Sequence, residues 1–214
     1  MPAHQLDQAL RQATVVSFDR IDSDGCMSTN DTVIALANGA SGTSPDAGAM
    51  PRVLTDVCID LARQLISDTE GASKDIAIAV HGARSEDEGL EAARAIGRSN
   101  LLKWAIHGED PNWGRVLFAL GTTSAAFESH EVDVSINGVM VCRGGGVGDS
   151  RDRPVSRKWQ DFGLGKVGCG GVNRAEVDLQ WAVPGQGLVR SDGVVFDPVV
   201  LGVLGQVQAI GDFV

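Results

Sequence analysis

Along residues 5–20, QLDQALRQATVVSFDR, the apolar or small positions Leu6, Ala9, Leu10, Ala13 and Ser17 recur at spacings of three and four, which predicts an amphipathic helix. A short apolar run, DTVIALANG, follows with β-branched Val33 and Ile34 and closes on Asn38-Gly39. Its length predicts a buried strand, preceded by the polar loop DSDGCMSTND. The Ser-, Gly- and Pro-rich stretch SGTSPDAGAMP, residues 41–51, reads as a flexible connection. A second helix is predicted from near Pro51, with Val53, Leu54, Val57, Leu61 and Leu65 on one face. Beyond the polar loop SDTEGASKD, the run IAIAVHGA predicts a strand, and Ser85 to Glu88 forms a capping-box pattern that opens the helix LEAARAIGRS. VDVSINGVMVC, residues 132–142, alternates on both sides of Asn137-Gly138 and predicts a hairpin. This alternation of strand, loop and helix argues for an α/β layer architecture.

After Cys142 the pattern changes to RGGGVGDSRDRPVSRKWQDFGLGKVGCGGVN, rich in glycine and charge, and beyond it only short strands such as VVLGVLGQVQA are predicted. Without a repeat of 20–50 residues to divide the chain, composition sets the expected boundary. Residues 1–150 read as an α/β region and residues 151–214 as a divergent, Gly-rich region expected to be poorly ordered. The 214 residues, 43% hydrophobic and 21% charged, can bury a substantial core. A formal net charge of -10 and the lack of a basic run argue against nucleic-acid binding. No stretch approaches the roughly 20 apolar residues of a membrane span, and MPAHQLDQAL lacks the layout of a signal peptide, so the cytoplasm is the expected location.

Candidate chemistry is sparse. Cys26, Cys58, Cys142 and Cys169 form no Cys-x-x-Cys pair, His4, His81, His107 and His130 are isolated, and no metal site is expected. RGGGVGD reads either as a backbone nest for an anion or as a flexible loop, and matches neither the dinucleotide fingerprint nor the P-loop. DSDGCMSTND lacks the closing Glu and flanking helices of a calcium loop. SDTEGASK places Asp68, Glu70 and Lys74 between a helix and a strand, where a carboxylate could take a substrate ammonium and the lysine could orient it or a carboxylate; a solvated connection is the alternative. LLKWAIHGEDPNWGRVLFALG holds two apolar runs broken by a turn at Asp110-Pro111, with Gly108 and Gly114 permitting the bend and Trp113 available for packing.

SFDRIDSDGCMSTNDTVIALANGAS, SDTEGASK and AARAIGRSNLLKWAIHGEDPNWGRVLFALG, in this order and spacing, resemble the C-terminal β chain of the glutamate N-acetyltransferase/ornithine acetyltransferase family of arginine biosynthesis. The resemblance covers most of residues 5–150. It implies a layered αββα sandwich of the N-terminal-nucleophile-like type, incomplete here. In that family a precursor cuts itself before a threonine, whose hydroxyl, with its own amine as base, accepts the acetyl group of N-acetylornithine and passes it to glutamate. The resemblance implies an α chain as partner, with the oxyanion donors and a substrate-binding lysine, and an oligomeric assembly. It implies no metal or redox cofactor, with acetyl-CoA as an alternative acetyl donor.

Glu70 is the one substrate-binding position carried over, matching the family's acidic residue in DTEGASK. No catalytic residue is carried over. Thr14 and Thr32 lie within the predicted helix and strand, the chain begins Met-Pro-Ala where the nucleophilic threonine is missing, and VLGQVQAIGDFV has no counterpart of the family's substrate-binding tail. Three functional expectations therefore stand side by side: an acetyltransferase part inactive without its α chain and threonine, a truncated or frame-disturbed remnant, and a small amino-acid-binding module around Glu70.

Overall fold

The protein is described here by a computed structural model that covers residues 2–22, 25, 30–42, 46, 48–68, 72–149, 175–182 and 201–208. Helix α1 runs Ala3–Val15 and is followed by a single 3-10 turn, Phe18–Arg20. The anticipated buried face is present, with Ala9, Ala13 and Ser17 all buried. The helix nevertheless ends five residues before the predicted limit, where the Ser17 hydroxyl donates to the Ala13 carbonyl at 2.6 Å and the chain turns away.

Helix α2, Ala49–Ser67, begins two residues before Pro51, which sits in its first turn, where its missing N–H costs nothing. Its buried positions are Cys58, Ala62 and Ile66, and α2 packs against α1. This reverses the expected orientation: Val53, Val57, Leu61 and Leu65 are exposed. The helix is apolar on two faces, and the small one, Cys58 and Ala62, permits the closer approach.

Strand β1, Ala72–His81, leads through the loop at Gly82 into α3, Glu86–Arg98. Ser85 caps α3 as its pattern predicts, accepting from the Glu88 amide at 3.2 Å, with Glu86, Asp87 and Glu88 at the positive end of the helix and Arg98 at the other. Ser99 ends α3 and caps α4, Asn100–His107, by accepting from the Leu102 amide. Helix α5 is Trp113–Leu120. Strands β2, Val132–Ile136, and β3, Val139–Arg143, form the expected hairpin, with Asn137 at φ 50° and Gly138 at φ 74°, the left-handed pair that a tight primed turn requires. Then come β4, Gly146–Val147, β5, Ala175–Ala182, and β6, Leu201–Gln208, the last within the predicted VVLGVLGQVQA.

The six strands form one mixed sheet in the order β4-β3-β2-β5-β1-β6. Among them β5 runs parallel to β2 and antiparallel to β1, so a strand from the distal part of the chain lies between two proximal ones. Helices α3, α4 and α5 pack on this sheet, and the core joins Ile76, Ile78 and Val80 of β1 to Ile96, Leu102, Ile106 and Val116 of the helices and to Val132, Val134 and Ile136 of β2. Each such side chain, fully removed from water, contributes about 1.5–3 kcal/mol.

The strand expected in DTVIALANG is not formed. Residues 31–39 make no ladder, and Leu36 is 92% exposed. β-Branched composition favours a strand only where the segment packs against a sheet, and residues 31–39 pair with neither of the edge strands, β4 and β6.

Candidate functional site

The structure brings together two stretches singled out in the sequence, SDTEGASK and HGEDPNWGR. Their link is Lys74, whose ammonium donates to Glu109 Oε1 at 2.8 Å. Lys74 shares the even-numbered alternation of Ile76, Ile78 and Val80, which places it at the end of the core-facing row of β1. The pairing of β1 with β6 shifts between Ala72 and Lys74, a bulge that ends the regular ladder there. The lysine side chain is only 12% exposed, so its stem is covered and its head emerges beside the turn between α4 and α5.

That turn is held from within. After α4 the Gly108 amide donates to the Trp104 carbonyl, and the Asp110 amide reaches back to Ala105 at 2.8 Å. Asn112 closes the loop through its amide to the Asp110 carbonyl at 2.7 Å and its side chain to Asp110 Oδ2 at 3.1 Å. Arg115 ties α5 to the start of α4 through Leu101 O at 2.5 Å, and Trp113 packs against the core. The expected roles of the two glycines are corrected. Gly108 has φ -81°, Gly114 lies inside α5, and the left-handed position is Glu109, at φ 55°. Sequence reasoning marked this loop without giving Glu109 a role; its only signal was an acid beside a glycine in a turn. Glu70, the one substrate-binding residue expected, lies outside the described residues, whereas Asp68 follows the end of α2 and is exposed. Thr14 belongs to α1, and Thr32 stands in the exposed segment, donating to the Asn30 carbonyl.

A second constellation ties the segment before the STNDT stretch to α3. Arg20, nine-tenths buried, donates to the Val15 carbonyl through Nε at 2.9 Å and pairs with Glu86 through Nη2. Asp22, buried, accepts from Arg98 Nε at 2.8 Å and from the Gly25 amide at 3.0 Å. Arg94 donates to the Asp19 carbonyl at 2.8 Å. A shallow groove of about 450 Å³ runs along α3 past Glu91, Arg94, Arg98 and Thr123. Arg94 and Arg98 are occupied by these contacts, so this side of the groove acts as a clamp on Asp19 and Asp22.

At the other end of the groove Glu91 accepts from the Ser124 amide at 2.7 Å and the Ser124 hydroxyl at 2.8 Å. The two hydrogen bonds, the amide's first, hold its carboxyl below the usual value. A depressed carboxyl contributes stability above its unfolded pKa, and the contribution disappears as pH falls through the folded one. Urea melts of the parent and of Glu91→Gln are therefore expected to differ at neutral pH and to converge as pH falls below 4.5. A gap that widens toward acid would contradict this.

RGGGVGD is neither an open nest nor a loose loop in the residues described. Its amides are taken internally: Gly144 donates to Asp133 Oδ1 at 2.6 Å, Gly145 to the Val132 carbonyl and Gly148 to the Val141 carbonyl, both at 3.0 Å. Cys58 and Cys142 are free, buried thiols whose pKa values burial raises, so they are inert structural residues. Among the described residues no group of three or more His, Cys, Asp or Glu side chains could hold a metal ion, and no helix is long and apolar enough to cross a membrane.

A mixed sheet covered by three consecutive helices, with an acidic turn docked on a lysine at the strand end, defines a mixed α/β protein of a known class. It matches the crystal structure of the arginine biosynthesis bifunctional protein argJ from Bacillus halodurans with a TM-score of 0.69 and 26% identity, over 86% of this chain and 89% of that one. The ArgJ family model matches residues 1–161, and the chain belongs to the ArgJ family. It is 60% identical over 147 residues to the arginine biosynthesis bifunctional protein ArgJ of Streptomyces coelicolor, covering 69% of this chain and 38% of that protein. The protein of the same name from Thermobifida fusca gives the same identity and coverage. The chain thus spans about two fifths of the length of these relatives.

Proposed function

We propose that this chain is the C-terminal, β-chain-like part of a cytoplasmic acetyltransferase that moves an acetyl group from N-acetylornithine, or from acetyl-CoA, to glutamate. The observation that carries the reading is the 60% identity over 147 residues to an arginine biosynthesis bifunctional protein. Residues 1–150 supply the family's half-site, and residues 151–214 are divergent in sequence while contributing β5 and β6 to the sheet. The partner is an α chain that brings the oxyanion donors and completes a layered αββα sandwich. A threonine at the head of the β region supplies the nucleophile. Its hydroxyl oxygen attacks the acetyl carbonyl, its own amine takes the proton and gives it to the ornithine nitrogen as the C–N bond breaks; the glutamate amine then attacks the acyl-enzyme, and its proton passes through the same amine to the threonine oxygen, which is freed. Glu70 is the carboxylate that holds the ammonium group of the amino-acid substrate. The exposed α2 ridge supports a partner, because apolar surface of this extent is normally covered.

The test is co-expression of the N-terminal part of the Streptomyces coelicolor relative, ending before its nucleophilic threonine, with this chain headed by the relative's segment that begins with that threonine, so that the threonine's amine is free. Transfer of labelled acetyl from N-acetylornithine to glutamate is expected in the complex, none is expected from the chain alone, and Glu70→Ala should reduce the rate by about 100-fold or more. If the relative's own two parts transfer acetyl when co-expressed and this chain in place of the second does not, the reading fails.

A further inference from the structure

Lys74 and Glu109 stand 35 residues apart in the chain, one in each of the two stretches that meet at the candidate site. Three features of the pair point beyond ordinary surface pairing. The lysine lies next to the bulge that ends the β1–β6 ladder, where the strand is least constrained by its neighbours. Glu109 occupies a left-handed backbone position, φ 55°, although a glycine stands immediately before it at an ordinary φ of -81°. A glycine at 109 would adopt that backbone without penalty, so the carboxylate is kept against a local cost. Finally, the turn that carries Glu109 is braced independently, by Asp110 to Ala105 and by Arg115 to Leu101, so the carboxylate is presented from a fixed support. A pair whose acid is half exposed adds little to global stability. Stability alone therefore does not explain why Glu109 is retained in a strained position.

We propose that Glu109 is a positioning residue: its carboxylate holds the ammonium of Lys74, four residues after Glu70, and thereby fixes the start of β1 in the geometry the substrate requires. This deepens the proposed function and takes its meaning from it, but the contact can be tested separately. Glu109→Gly removes the carboxylate and relieves the left-handed strain at the same time. The variant is expected to melt at the same temperature as the parent or higher, while amide exchange over residues 72–76 accelerates about 10-fold. Glu109→Gln, which keeps the reach and loses the charge, should accelerate the same amides. Exchanging the charges, Lys74→Glu with Glu109→Lys, should slow them again toward the parent.

In the co-expressed complex, Glu109→Gln should raise KM for N-acetylornithine about 10-fold with kcat within about 2-fold. Unchanged exchange in both single variants overturns the proposal. So does exchange that rises only in step with a falling melting temperature, which is the mark of a purely structural pair. If the complex transfers no acetyl group, the functional reading falls, and exchange and melting on the full chain alone decide the role of the pair.

Discussion

Gly145→Ala is expected to lower folding stability by about 2–4 kcal/mol, measured as a shift in the urea midpoint at unchanged slope. Two costs act together at this position. Gly145 has φ 70°, and a Cβ there would be driven into the carbonyl group of Ser129. Neither side can give way easily. Gly145 donates to the Val132 carbonyl, Gly144 donates to Asp133, and Ser129 begins the 3-10 turn that feeds β2. Gly148 presents the same problem against the Met140 carbonyl, without the left-handed backbone. Two controls separate the causes. Gly42 has φ 65° but nothing near the Cβ position, so Gly42→Ala should cost only the backbone term, about 1–2 kcal/mol. Gly114 lies in helix α5 at an ordinary φ with one contact at 3.4 Å, and Gly114→Ala should be neutral or stabilise by up to about 1 kcal/mol. If Gly145→Ala falls within about 0.5 kcal/mol of the parent, the β3–β4 turn is not packed on Ser129.

Local signals were readable where one or two residues decide the outcome. The Ser85 hydroxyl on the Glu88 amide needs only a spacing of three, and Asn137-Gly138 needs only two residues that tolerate positive φ. Signals that depend on what stands opposite were not readable. Val33 and Ile34 have strand composition, yet the segment pairs with neither edge strand of the sheet, β4 or β6. RGGGVGD has loop composition, but its glycines are required by close backbone approach and by amides with fixed partners. The Lys74–Glu109 contact joins residues 35 apart, a distance at which spacing carries no information about pairing. Motif and chemistry were visible separately in the two stretches; their meeting required the fold.

Helix α2 sets out the same problem most sharply, and the second large effect is expected there. Its periodicity identified a helix but could not say which of two apolar faces meets the core, since Val53, Val57, Leu61 and Leu65 recur every four residues just as Cys58, Ala62 and Ile66 do. The two faces predict opposite phenotypes. Ile66 is 5% exposed, so Ile66→Ala should remove about 2–5 kcal/mol of folding stability. Leu61 and Leu65 are 46% and 60% exposed, so the double change Leu61→Glu with Leu65→Glu should leave the melt of the isolated chain nearly unaltered. On the proposed reading this ridge is what the N-terminal chain covers. Covering the exposed half of each of the two leucines contributes about 0.7–1.5 kcal/mol, so the double change should weaken capture of that chain by about 10-fold or more. Without the partner, the unaltered chain should self-associate through the same ridge in sedimentation, and the double variant should not. Undiminished capture by the double variant would show that the ridge faces something else. A melt that collapses with it would mean that the ridge belongs to the core of this chain.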